Sequence, residues 1–381
     1  MAAGTKKKRN TQRIIGTAVT VALGLAAGVL GGIAIVFRGI EPYETPESGF
    51  GTFLLRYCGY LLLFGAAWLL GVIIHEGGHL VFGLLTGYRF RSFRVFSLML
   101  VKTEEGLAFK RFSLAGTGGQ CLMAPPDYDG GNFPYMLYNF GGALLNLAAA
   151  CVFGGLYLVS SGIGVWAVFC ILTVVMNIYF ALANGIPLMT KMIPNDGYNA
   201  THLGKDPSAK FAFWSQLRIN ELLQAEGKRL RELDPALFAI ADDADLSNPL
   251  TATQLINREN RAMDAHKFEE AKQLIGTLTR PETELMGLYR SLLEMDRMFI
   301  DILDRGGEAD VSPMETKEMQ SFCRSMRNFP SVIRTEYAAA KAVKHDEKKA
   351  AECLARFRAL EKTYPTKADL DAERELMELV R

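Results

Sequence analysis

The sequence predicts an α-helical polytopic membrane protein, with four spans, a β-hairpin on the cytoplasmic side and a soluble all-α domain towards its C-terminal end. Three observations predict it. Charge is unevenly spread: residues 1–204 carry 14 basic and 9 acidic side chains, whereas residues 205–381 carry 28 and 32. The first part holds four apolar runs, each at least the roughly twenty residues that a helix needs to cross a bilayer core. The second part is rich in Glu, Lys, Arg, Ala and Leu at helical spacing, broken by Pro207, Pro235, Pro249, Pro281, Pro313, Pro330 and Pro365. The first part excludes a wholly water-soluble globule. The net charge of +1, with no basic cluster beyond Lys6-Lys7-Lys8-Arg9, argues against a nucleic-acid partner.

The first run, Ile14–Phe37, is longer than a signal-peptide core and reads as a retained span. The second, Phe53–Thr86, is too long to lie wholly in a bilayer, and Arg56 and Tyr57 mark its outer edge. Pro134–Ser160 and Ile163–Pro187 are the third and fourth. Short cytoplasmic loops are enriched in Lys and Arg. The N-terminal cluster, and Arg89, Arg91, Arg94, Lys102, Lys110 and Arg111 between the second and third runs, place both segments in the cytoplasm; Glu41, Glu44 and Glu47 accompany Arg38 on the outer side. Four spans return the C-terminus to the cytoplasm. Residues 1–52 thus form a tail, one span and an outer loop, 53–204 the membrane core, and 205–381 a cytoplasmic helical domain.

In the cytoplasmic loop, Val95–Val101 and Leu107–Leu114 flank Lys102-Thr103-Glu104-Glu105-Gly106 and predict a hairpin. Gly116-Thr117-Gly118-Gly119-Gln120 lacks the Lys-Ser or Lys-Thr of a phosphate-binding loop and reads as a flexible or re-entrant segment. Asp264–Ile275 and Asp346–Leu360 look like second halves of tetratricopeptide-type hairpins, although without a clean repeat period a generic helical bundle fits equally well. Six cysteines without a CxxC pair read as reduced, buried small hydrophobes.

His75-Glu76-Gly77-Gly78-His79, inside the second run, carries the chemistry. Positions i and i+4 share a helix face, so both imidazoles can reach one zinc ion, with Glu76 beside them as the base for an attacking water. With five histidines in the chain, chance produces HExxH on the order of a few times in a thousand such sequences. Ionisable groups inside a span are costly and tend to be functional. The two glycines cost helix stability, roughly 1 kcal/mol each, and read as room for a substrate backbone near the metal. Catalytic zinc needs a third protein ligand. Phe82 and Leu85 stand where a metzincin would have Gly and His, and Glu104 and Glu105 fall in the predicted turn. Asp196, in Pro194-Asn195-Asp196-Gly197, lies on the same membrane side as the histidines and completes the set, although Asn-Asp-Gly also makes an ordinary turn. Asn146 and Asn184, inside the third and fourth runs, can each hydrogen-bond a substrate carbonyl or the oxyanion formed during attack, or simply bridge helices. Asn139 and Asn177 are less favoured on the same grounds. His202 reads as structural, and His266 and His345 belong to no constellation.

HEGGH in one span, Gly142-Ala143-Leu144-Leu145-Asn146 in the next, and Asn184-Gly185-Ile186-Pro187 followed by Asn195-Asp196-Gly197 resemble the site-2-protease family of intramembrane zinc metalloproteases. The resemblance covers residues 53–204. It implies one zinc ion per chain held by His75, His79 and Asp196, with Glu76 as the base and three core spans around the site. The substrate it implies is a membrane protein or peptide cut within or next to a span and delivered from the lipid bilayer. An unwound substrate could be held on the edge of the 95–114 hairpin by β-augmentation. Asn195 stands where the family has Leu and Ala143 where one version of its motif has Pro. No PDZ-like insertion is evident, so regulation or substrate selection, with any protein partner, falls to the helical domain. The rival reading is an inactive membrane scaffold acting through that domain. A metal transporter would spread polar residues through several spans, whereas here they gather at one depth.

Overall fold

The structure, a computed structural model, describes residues 2–43, 45, 49–103, 106–111, 118–160, 162–189, 194–281, 283, 285 and 287–380. Of the features singled out above, Glu44, Glu47, Glu104, Glu105, residues 112–114, Gly116 and Thr117 lie outside them.

Runs rich in Leu, Ile, Val, Ala and Gly fold within α1 (Ala2–Ala34), α2 (Phe50–Leu85), α3 (Met136–Leu158) and α4 (Gly164–Gly185). Four segments, Thr11–Tyr43, Phe50–Leu85, Met136–Leu158 and Gly164–Gly185, are long and apolar enough to cross a membrane, the mark of a multi-pass membrane protein. Their outer faces expose Leu25, Leu55, Leu62, Val152 and Leu158, a surface suited to lipid rather than water. Inward, Ala27, Ala34, Ala67, Val168, Leu172 and Met176 form a core between α1, α2 and α4, where small side chains let helices approach. The 36 residues of α2 extend about 54 Å at the helical rise, beyond the roughly 30 Å of hydrocarbon. Near its start Arg56 donates to the Tyr43 carbonyl at 2.8 Å and lies over the Tyr43 ring.

Between α2 and α3 run β1 (Arg89–Val95), β2 (Leu98–Thr103), β3 (Gly106–Arg111) and β4 (Gly119–Ala124), in the antiparallel order β3-β2-β1-β4. The predicted hairpin is β2–β3, paired from Thr103↔Gly106 to Leu98↔Arg111. The sheet is larger than that hairpin, and the expected 95–101 strand is broken. Val95 pairs with Leu98 across a two-residue turn in which Phe96 takes φ 52°. β1 reads Arg-Phe-Arg-Ser-Phe-Arg-Val, an alternation that its arginines disguise as a basic loop. Arg94 is buried and Arg91 pairs with Glu221, so two of the six basic residues used for orientation serve the fold. β4 also corrects the flexible-loop reading, since Gly119 and Gln120 are strand residues.

The chain divides into two compact units. One comprises Met1–Arg89, Gly118–Cys121 and Asn132–Lys205; the other comprises Phe90–Thr117, Leu122–Gly131 and Asp206–Arg381. Most of the sheet thus groups with the C-terminal helical region, where the Trp214 indole of α6 (Pro207–Ala225) donates to the Pro126 carbonyl at 2.8 Å. There α7 (Pro249–Asp264), α8 (Phe268–Leu278), α9 (Gly287–Arg305), α10 (Lys317–Ser325), α11 (Pro330–Ala338), α12 (Glu347–Leu360) and α13 (Lys367–Glu378) follow. All but α10 share a core that includes Phe299, Ile333, Phe357 and Leu376, while Met319 and Cys323 of α10 pack with Met295, Met298 and Val332. Pro207, Pro249 and Pro330 open their helices, where a missing N–H is harmless. The two hairpin-like stretches are α8 and α12, each entered through a left-handed histidine, His266 at φ 56° and His345 at φ 50°. All six cysteines are free thiols. Cys121, Cys170, Cys323 and Cys353 are buried as expected, whereas Cys58 and Cys151 are exposed on the outer faces of α2 and α3.

Candidate metal centre

His75 and His79 lie one turn apart on the buried face of α2 and meet Asp196, the first residue of α5 (Asp196–His202). His75 Nε2 is 3.1 Å and His79 Nε2 3.4 Å from Asp196 Oδ2. The two Nε2 atoms are 3.3 Å apart. The three residues form a group that can hold a metal ion, with both histidines buried and Asp196 half-buried.

The surrounding hydrogen bonds fix which nitrogen of each ring faces the centre. Asn177 Nδ2 donates to the Thr173 carbonyl at 2.8 Å, which turns Asn177 Oδ1 towards Asn146 Nδ2 at 2.7 Å. Asn146 Nδ2 also donates to the Gly71 carbonyl at 3.1 Å, so Asn146 Oδ1 is the atom that faces His75 Nδ1, 2.9 Å away. An amide oxygen only accepts, so His75 carries its proton on Nδ1. His79 Nδ1 likewise donates to the Tyr138 carbonyl at 2.7 Å. In its neutral form each ring therefore turns an Nε2 lone pair towards a carboxylate oxygen, and three acceptors then converge with no donor between them. A bound cation, or a proton taken up by a ring, satisfies that arrangement.

Close backbone approaches bring these elements together. A Cβ on Gly78 would overlap the Gly141 carbonyl, and one on Gly142 would overlap the His75 ring. Gly78 is thus occupied by the α2–α3 crossing, which corrects its reading as space for a substrate; Gly77 meets only Leu145, at ordinary contact distance. Asp196 is presented by its neighbour. Asn195 Oδ1 accepts from the Leu188 and Tyr198 amides at 3.0 and 2.9 Å, and its Nδ2 donates to the Ala183 and Ile186 carbonyls at 2.8 and 2.7 Å. A Cβ on Gly197 would overlap the Gly185 carbonyl, so α5 starts directly against the end of α4. Burial opposes ionisation of Asp196, but a proton taken up by the His79 or His75 ring outweighs it and holds the carboxyl below the usual carboxylate range.

Glu76 is buried beside this group. The Cys121 backbone amide hydrogen-bonds its carboxylate, and a Cβ on Gly119 would lie 2.6 Å from its Oε1. The first half of β4 therefore forms one wall around Glu76. Tyr138 secures that wall, its hydroxyl donating to the Cys121 carbonyl at 2.9 Å.

The structure thus gathers His75, Glu76, His79, Asp196 and Asn146. Asn184 forms no hydrogen bond to the group among the described residues, its Nδ2 donating to the Phe180 carbonyl of its own helix at 3.1 Å; Asn139 Nδ2 donates to the Tyr135 carbonyl at 2.8 Å. His202 stacks on Tyr198 at 4.0 Å, away from the centre. Sequence reasoning ranks Asn177 below Asn146 and Asn184, and gives Asn195 and the Tyr138 carbonyl no role at the site. The four-residue spacing from Thr173 to Asn177 gave a signal for the first, whereas a backbone carbonyl gives none. Comparison with protein-family models, curated proteins and solved structures finds no match to this chain.

Proposed function

We propose that the protein is an intramembrane zinc metalloprotease of the site-2-protease type, cleaving a peptide bond within or next to the membrane-spanning segment of a protein or peptide. The observation that carries this reading is the convergence of three acceptor atoms, 3.1, 3.3 and 3.4 Å apart, beside a buried glutamate. The edge of a tetrahedron is about 1.6 bond lengths, or about 3.3–3.4 Å for the roughly 2.0–2.1 Å bonds that zinc makes to nitrogen and oxygen. The donor set fits such an ion, with two oriented imidazoles and one carboxylate.

His75, His79 and Asp196 would hold the zinc ion, which would supply Lewis acidity towards the scissile carbonyl and the attacking water. Glu76 accepts the proton of the attacking water and returns it to the leaving nitrogen. The Cys121 amide and Gly119 position that carboxylate. A helical substrate hides its amides and must unwind before attack. An unwound segment can add to a sheet edge through main-chain hydrogen bonds. The edge strand with residues at Glu76 is β4, so β4, rather than the 95–114 hairpin, is the strand proposed to hold it. The basic N-terminal cluster supports cytoplasmic termini, which makes the C-terminal helical region a cytoplasmic regulator or selector of substrate.

The test compares peptides and new protein termini in membranes of cells making the wild-type chain or Glu76→Gln. Products present only with the wild type are expected. Matching profiles from two folded, zinc-loaded proteins would overturn the reading and favour a scaffold. His79→Ala and Asp196→Ala should each lose zinc, and an unchanged stoichiometry in either would show that the ligand set is wrong.

A further inference from the structure

The C-terminal helical region contains a cavity of about 470 Å³ to which the proteolytic reading gives no role. Its wall is cationic. Arg324 and Arg327 come from α10 and the turn after it, Lys349 and Arg356 come from α12, and Glu336 of α11 is the only acid lining it among the described residues. Arg356 is paired with Glu336, and Lys349 holds Glu352 at 3.1 Å. Arg324 and Arg327 form no ion pair among the described residues, and the only acid that feels Arg327 is Glu352, already held by Lys349. The four cations and two acids therefore leave two positive charges in excess.

Three residues apart, Arg324 and Arg327 share one side of α10 and its exit, where like charges repel. The helix dipole favours cations at this end, but it does not explain why Lys349 and Arg356 converge on the same space from another helix. Arg356 Nε is buried without a hydrogen-bond partner, a donor left over after the Glu336 pair. Guanidinium groups match oxyanions through paired N–H donors, and an excess of two charges matches a phosphate monoester, which carries about −1.5 to −2 at neutral pH. The volume lies within the range of about 300–1,000 Å³ that small-molecule sites occupy. Met314 and Cys323 add an apolar part to the lining that inorganic phosphate alone would not use.

We propose that this cavity binds a small organic phosphate monoester, with its phosphate on Arg324 and Arg327 and its organic body against Met314 and Cys323. The site is independent of the metal centre, so its test does not depend on proteolysis. Full-length protein in detergent is titrated calorimetrically with phenyl phosphate, inorganic phosphate and benzoate. One saturable site per chain is expected for phenyl phosphate, with weaker binding of the other two. Both arginines are exposed, so the double variant Arg324→Gln/Arg327→Gln should fold and bind phenyl phosphate at least about tenfold more weakly, the scale of lost charged hydrogen bonds. Arg258→Gln, on α7 and outside the cavity, should bind as wild type does. Absence of saturable binding, or equal affinity in the double variant, overturns the proposal. Equal affinity for inorganic and phenyl phosphate overturns the role given to Met314 and Cys323.

Discussion

Asn146→Ala removes the acceptor of His75 Nδ1 while leaving all three residues proposed to bind the metal in the chain. Asn146 is wholly buried and joins His75 at 2.9 Å, Gly71 at 3.1 Å and Asn177 at 2.7 Å. Without its oxygen the His75 ring loses the partner that sets both its tautomer and its plane. Removing such a partner typically costs about 10–100-fold in metal affinity, or about 1.4–2.7 kcal/mol. The fold is affected as well. His75 Nδ1–H and Asn177 Oδ1 are left unsatisfied, at about 1–3 kcal/mol each, while the Gly71 carbonyl can keep its helical bond. Asn177→Ala provides the contrast, because Asn146 Nδ2 still donates to Gly71 and its Oδ1 still faces His75. Zinc affinity should therefore fall much less in Asn177→Ala than in Asn146→Ala, although both lose stability. The assay is competition for zinc against a chromophoric chelator, using purified full-length protein, with thermal unfolding followed in parallel. A folded Asn146→Ala protein with wild-type affinity, or equal losses in the two variants, would refute the tautomer argument.

Gly78→Ala drives a methyl into the Gly141 carbonyl and should cost about 1–3 kcal/mol as overpacking, with weaker zinc binding because His79 moves with the helix; unchanged stability and affinity would refute this account of the α2–α3 crossing. Gly119→Ala should separate metal from catalysis, since the new Cβ meets Glu76 rather than a ligand. Its zinc content should stay at the wild-type level while cleavage falls on the order of a hundredfold, the scale of an ångström-sized misplacement; cleavage at the wild-type rate would sink the positioning role. In the C-terminal helical region, Arg334 pairs with Asp296 and with Glu373 at 2.9 Å, while neither oxygen of buried Glu259 has a hydrogen-bond partner. Burial pushes Glu259 well up, and pushes Glu373 up to about 7. The folded state then holds protons that the unfolded state releases near the ordinary glutamate value of 4.5. Stability of this region should fall as pH rises from there to about 7, at about 1.4 kcal/mol per pH unit for each such group. Hydrogen exchange in α7, α9, α11 and α13 of the full-length protein reads that slope, and greater protection on raising the pH would reverse the sign.

The spans, the β2–β3 hairpin and the C-terminal helices were legible because each rests on a pattern local to the chain: apolar length, a turn sequence, or helical spacing closed by proline. β1 was not, because three arginines in seven residues look like a cytoplasmic loop. Only contacts distant in sequence, such as Arg91 with Glu221, show that they are fold residues. β4 was hidden for the opposite reason. Its glycine-rich start suggests freedom, whereas at Gly119 the glycine is required by the Glu76 side chain packed on it.

The metal centre shows the same division more sharply. HEGGH places two imidazoles on one face by helical geometry alone, and Asp196 could be matched to them by depth. What makes the three residues meet is invisible in the motif: Gly78 on the Gly141 carbonyl, Gly142 on the His75 ring, and Gly197 on the Gly185 carbonyl. Each is a backbone approach that one methyl group would prevent. Asn195 carries this furthest. It stands where the family that the motifs resemble has Leu. Its four hydrogen bonds to Ala183, Ile186, Leu188 and Tyr198 tie the exit of α4 to the start of α5, which is the task that position must perform if Asp196 is to face the histidines. A polar side chain can do this with directional bonds where an apolar one would rely on packing, so Asn195 is a means of presenting the proposed ligand Asp196 to the two histidines.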